Sequence, residues 1–100
     1  MTSHTGTICG IIKKSVARWR ELVESARRSP ANVRFRDLCG ILLRLGYVLD
    51  RKRGSHRIYR HPSRPDLPLV NLQESAAGKA KPYQVRQVLG IIETHRLEVD

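Results

Sequence analysis

Acidic residues are scarce in this 100-residue chain: nine Asp and Glu stand against nineteen Lys and Arg, a formal net charge of +10. A positive excess of that density favours polyanionic partners, nucleic acid first and an anionic membrane second. No Asp/Glu cluster of a two-metal site is present, which weighs against Mg²⁺ chemistry. Cysteine is nearly absent as well. Neither Cys9 nor Cys39 has a second Cys or a His two to four residues away, so a disulfide framework and a four-ligand zinc site are excluded. Cys39 falls in an apolar helical pattern, the setting of a buried, inert thiol. Long hydrophobic runs are missing too. The N-terminal cluster from Ile8 to Ile12 is broken by Cys9 and Gly10 and followed at once by Lys13. It is too short to span a bilayer and lacks the flanks of a signal peptide. A cytoplasmic protein that needs neither metal nor cofactor is expected.

Apolar residues make up 40% of the chain, enough for a folded core and too many for a disordered basic tail. At this length only about two-thirds of the unfolded surface is buried on folding, so there is room for one modest core and none for a large cofactor fold. The charge is uneven. Between Lys13 and Arg64 fifteen basic residues face four acids, a net of +11 that accounts for the whole excess. Residues 1–12 read as a loose tail, and there is no internal repeat or low-complexity segment. Val16, Trp19, Leu22, Val23 and Ala26 make a helical stripe over residues 13–28, broken by Ser29, Pro30, Ala31 and Asn32. Phe35, Leu38, Leu42 and Leu45 predict a second helix with Gly46 as its left-handed cap. Strands are predicted over residues 47–53, 56–61 and 69–72, with Gly54 and Ser55 turning the first into the second. Pro82 then opens a last helix that buries Val85, Val88, Leu89 and Ile92. The order is a helix followed by α-β-β-β-α, an α+β fold.

The densest group of polar chemistry runs from Arg51 to His61. Five cationic side chains surround a Gly-Ser turn whose backbone amides can approach a phosphate closely. Tyr59 is positioned to stack on an unpaired base, and His56 is a residue type that exchanges protons near neutral pH. Composition alone also fits a solvated hairpin with a satisfied histidine. Alternation places His56, Ile58 and Arg60 on one face of the strand, and Arg57, Tyr59 and His61 on the other.

The residues from Phe35 to Leu97 resemble the HicA family, the toxin half of HicA–HicB type II toxin–antitoxin systems. The matching pieces are Phe35-Arg36-Asp37-Leu38-Cys39, Leu42-Leu43-Arg44-Leu45-Gly46-Tyr47 and Arg53-Gly54-Ser55-His56-Arg57-Ile58-Tyr59. They continue with Asn71-Leu72-Gln73 and with Lys79-Ala80-Lys81-Pro82-Tyr83-Gln84-Val85-Arg86-Gln87-Val88. The resemblance implies a fold like a double-stranded-RNA-binding domain and ribosome-independent cleavage of mRNA by a histidine, restrained by a HicB-like antitoxin. Many members carry two histidines after Gly-Ser; here Arg57 fills the second place, and the catalytic role is carried to His56. On this reading residues 1–32 are a tail and helix, and residues 33–100 are the RNA-binding and nuclease domain.

The mechanism that follows has His56 as base for a ribose 2′-OH, with Arg53, Gly54, Ser55, Arg57, Tyr59, Lys79 and Lys81 holding RNA or its phosphate. Asn71 and Gln73 would place sugar or base, or else they and the lysines are a polar strand end ahead of a helix. Tyr83 reads as a capping contact more often than a stacking residue, His61 as a leaving-group acid or an exposed strand-end residue, and His4 and His95 as bystanders. The first helix either packs as extra core, receives an antitoxin segment or lies on a membrane. Two other functions fit the composition: an RNA-binding module that does not cut, and a DNA-binding accessory protein, although no recognition-helix motif supports the latter.

Overall fold

A computed structural model describes residues 18–99 of the chain. The expected tail, Val16, Cys9 and His4 lie outside the described residues. The described part of the first helix, α1, covers residues 18–28, and a short 3-10 turn follows at Pro30–Asn32. Helix α2 (Phe35–Leu45), strands β1 (Val48–Arg53), β2 (His56–Arg60) and β3 (Val70–Gln73), and helix α3 (Pro82–Thr94) complete the order. Among the described residues no helix is long and apolar enough to cross a membrane.

Local chemistry explains the helix ends. Asp37 in the first turn of α2 and Arg44 in the last complement the helix macrodipole. Gly46 takes φ 104°, which favours glycine, and the chain closes in two backbone bonds. Its N–H donates to the Leu43 carbonyl at 3.1 Å, and Tyr47 N–H donates to the Leu42 carbonyl at 3.0 Å, the pattern of a Schellman motif. Pro82 opens α3, where its missing N–H costs the helix nothing.

The strands form one antiparallel sheet in the order β1-β2-β3. Gly54 at φ +60° is followed by Ser55 with a negative φ, the type II′ turn that suits the right-handed twist of a two-residue hairpin. The register pairs Arg53 with His56 and Val48 with Arg60, and skips Asp50 as a bulge. The Asp50 carboxylate accepts from Arg60 Nε at 3.0 Å across the hairpin. β3 begins at Val70, one residue later than the pattern predicted, because it pairs His56 with Gln73 and Tyr59 with Val70. Leu69 is left 55% exposed. Tyr47 stands just outside β1, buried, with its hydroxyl donating to the Pro68 carbonyl at 3.0 Å.

One core joins the helices to one face of the sheet. Val70 and Leu72 of β3 and Tyr59 of β2 meet Leu38, Ile41 and Leu42 of α2 and Val85 and Val88 of α3. Val23 and Ala26 of α1 are buried in the same cluster, with Trp19 and Leu22 packed against it, so the described part of α1 serves as extra core. Leu89 packs at the margin of the core rather than in it. The Trp19 ring lies against Gly40 so closely that a Cβ there would come within 2.7 Å of Cζ3. Among the described residues, the opposite face of the sheet, carrying Asn71 and Gln73, is open.

Candidate active site

Residues directly opposite in an antiparallel sheet share a face. Arg53, His56 and Gln73 therefore form one row across the open face, and Arg51, Ile58 and Asn71 form the next. His56 sits at the start of the central strand, half-buried, and its Nδ1 lies 3.1 Å from Asn71 Oδ1. An amide oxygen only accepts, so in the neutral ring Nδ1 carries the proton and Nε2 keeps its lone pair. That is the state a proton acceptor needs.

Beside this pair runs a second set of contacts. Gln73 Nε2 donates to Ser55 Oγ at 3.1 Å, and Gln73 Oε1 accepts from Lys81 Nζ at 2.8 Å. The Gln73 backbone N–H donates to Gln84 Oε1 at 3.0 Å. Gln84 is 3% exposed, a buried polar residue within the apolar stripe of α3. Its amide ties the first turn of α3 to the end of β3. The turn hydroxyl, the Gln73 amide and one ammonium are thus linked beside the histidine, with the Arg53 guanidinium exposed in the same row. Such a group of donors and cations suits a phosphodiester.

Three expected members of the site stand elsewhere. Tyr59 is 3% exposed and belongs to the core, so it presents no face to a base. Burial first, and then the neighbouring Cys39 thiol, pushes its phenol up to about 12, with Arg57 pulling the other way. Arg57 lies on the core face, its guanidinium 5.1 Å from the centre of the Phe35 ring. The structure therefore does not bring Arg57 to His56; adjacent strand residues point to opposite faces. Lys79 reaches towards Asn32 Oδ1 at 3.4 Å, and only Lys81 of the two lysines joins Gln73. His61 is turned to the end of α2: its Nε2–H donates to the Leu45 carbonyl at 3.0 Å and its ring meets Tyr47 edge-on. It is neither an exposed strand end nor a neighbour of the open-face pair. His95 is the C-cap residue of α3. Tyr83 caps nothing, since the start of α3 has no side-chain cap bond.

The family model for the HicA toxin of bacterial toxin–antitoxin systems matches residues 35–93, which hold α2, the whole sheet and all but the last residue of α3. The chain belongs to the HicA toxin family. Its α+β architecture is the α-β-β-β-α arrangement of that family, with α1 added ahead of it, and membership makes it a toxin that pairs with an antitoxin. No curated protein matches the chain, and no solved structure does.

Within this HicA domain, sequence reasoning overlooked Gln84 and left Asn71 with two readings. A signal for Gln84 was present: it lies four residues before Val88 and seven before Ile91, on the buried stripe. A glutamine there has to find a partner. The link from Asn71 to His56 crosses strands diagonally and has no counterpart in the spacing of either.

Proposed function

We propose that this HicA protein is an mRNA interferase, a ribosome-independent endoribonuclease that needs no metal and uses His56 as general base. The observation that carries the reading is His56 itself, whose Nδ1 is held by Asn71 at 3.1 Å on the open, cationic face of the sheet. Nε2 takes the proton of a ribose 2′-OH, the 2′-oxygen bonds to the adjacent phosphorus, and the 5′-oxygen leaves and takes a proton from solvent. The products are a 2′,3′-cyclic phosphate and a 5′-hydroxyl. Lys81, Arg53 and the Gly54–Ser55 turn bind and neutralise the phosphate. Lys79 and Arg34, paired across a backbone bridge, extend the cationic track to flanking phosphates. Residues 33–100 carry this activity in the cytoplasm, and a small acidic HicB-like antitoxin covers the hairpin until the toxin is released.

His56→Ala tests this reading. Arginines stay protonated and cannot act as bases, and loss of a positioned general base costs about 10²–10⁴ in rate. Position 56 begins a strand beside a turn, so alanine leaves the core untouched. Cleavage of a generic mRNA in chelator, without ribosomes, should be abolished while RNA affinity and circular dichroism stay close to wild type. A variant that cuts as fast as wild type overturns the mechanism. If neither protein cuts and both bind equally, the chain is an RNA-binding module.

A further inference from the structure

The five aromatic side chains of this protein have sharply different surroundings. Phe35, Tyr47 and Tyr59 are 1–3% exposed, and Trp19 packs against the core. Tyr83, in contrast, is 61% exposed. A lone exposed tyrosine is ordinary, but this one is held in place. Its hydroxyl accepts from Gln84 Nε2 at 3.3 Å, and the same buried amide accepts the Gln73 N–H. The phenol oxygen is thereby tied towards the end of β3, while most of the side chain remains open to solvent. Tyr83 also stands two residues after Lys81, whose ammonium joins the Gln73–Ser55 contacts beside His56. Helix stability does not explain the residue, because it supplies no cap and buries little surface.

We propose that Tyr83 is a nucleobase-stacking subsite, taking the unpaired base of a nucleotide next to the phosphate that Lys81 holds. This rests on the RNA-cleavage reading and adds a substrate preference to it. Aromatic faces bind bases of any identity by stacking, and a ring already tied at one end loses little freedom when a base lands on it. Bases inside a duplex are already stacked on each other and gain nothing from the ring. The subsite therefore selects single-stranded RNA over duplex RNA without selecting sequence. It also supplies the aromatic contact that the burial of Tyr59 removes.

The test uses the full chain and a short single-stranded RNA with 2′-O-methyl groups throughout, which binds but cannot be cut. Tyr83→Ala should weaken binding about 5- to 140-fold, the stacking scale of roughly 1–3 kcal/mol per base converted at 1.4 kcal/mol per tenfold. Tyr83→Phe and Tyr83→Trp keep a ring and should stay within about threefold of wild type, on the same stacking scale. Affinity for a blunt RNA duplex should not change in any variant. Abasic nucleotides, placed one at a time, should weaken wild-type binding at one position, and that penalty should vanish in Tyr83→Ala. A penalty that persists in Tyr83→Ala, or single-strand affinity equal to wild type, overturns the subsite. Cleavage of ordinary mRNA by wild type in the same series separates the failures. If wild type cuts, only the subsite has failed; if it neither cuts nor binds RNA, the RNA reading has failed and the subsite with it.

Discussion

Replacing Asn71 with alanine removes the oxygen that accepts from His56 Nδ1 at 3.1 Å. Asn71 is exposed and His56 half-buried, so the bond contributes about 1 kcal/mol net, roughly a fivefold bias towards the held ring. The larger effect is on which ring nitrogen keeps the proton. With Nδ1–H aimed at Oδ1, the lone pair stays on Nε2; without that acceptor the ring turns and the proton redistributes. Together the two effects should lower the single-turnover cleavage rate by about 10- to 100-fold, because a reacting group displaced by an ångström loses on that order. RNA affinity should hold within about threefold, and stability should change by less than about 1 kcal/mol at so exposed a site. Asn71→Asp keeps an acceptor in place and adds a negative charge that favours the imidazolium. It should retain most of the rate and move the acid limb of the pH–rate profile to higher pH. The assay is cleavage of an end-labelled RNA from pH 5 to 9, with affinity measured on a non-cleavable analogue. Wild-type rates for Asn71→Ala at every pH would refute the positioning role. Full rate at saturating RNA with weakened affinity would make Asn71 an RNA contact instead.

Gly40→Ala forces the Trp19 ring off its seat, since the new Cβ would lie within 2.7 Å of Cζ3. The gain of about 0.5–1 kcal/mol for alanine in a helix interior offsets part of the lost packing. Stability should thus change by less than about 1 kcal/mol, while the emission of this single tryptophan shifts to the red; an unshifted spectrum would show that the ring does not rest on Gly40. Tyr59 should make the fold sensitive to alkali. Its phenol is pushed up to about 12, with burial the leading cause. Below about pH 10, where an ordinary phenol ionises, both states keep the proton and the contribution is intact. Between about pH 10 and 12 the unfolded chain releases the proton and the folded one does not, so stability is lost as pH rises. Urea melts at pH 9.5 and 11.5 should show a smaller loss for Tyr59→Phe than for wild type, and parallel losses would argue against the buried phenol as the cause.

Local features of this protein are legible in its sequence. The apolar spacing of α2, the Gly46 cap, the Gly54–Ser55 turn and the start of α3 at Pro82 each depend on residues within a turn or two of one another, and on φ angles that few residue types adopt. Alternation along β2 by itself places His56 and Arg57 on opposite faces, which is incompatible with both holding one phosphate. The catalytic candidate comes from the family resemblance at the Gly-Ser-His motif, and the hairpin there brings Arg53, Ser55 and His56 together within four residues. Charge placed a polyanion on the list of partners, because summed charge depends little on how the chain folds.

Tertiary structure decided which of those side chains meet. Tyr59 lies in the core and Tyr83 stays 61% exposed because burial depends on what lies across the sheet. The helices close over one face of the sheet, and Tyr59 is on it, whereas Tyr83 in the first turn of α3 lies outside that core. His61 became a contact of α2 when the chain brought it back to Leu45 across sixteen residues. Asn71 meets His56 from fifteen residues away, and Trp19 meets Gly40 from another helix altogether. No local propensity encodes such pairs. They exist because strand register and helix docking are set by burial of the core as a whole, and the polar groups at its margin take whichever partners that packing leaves beside them.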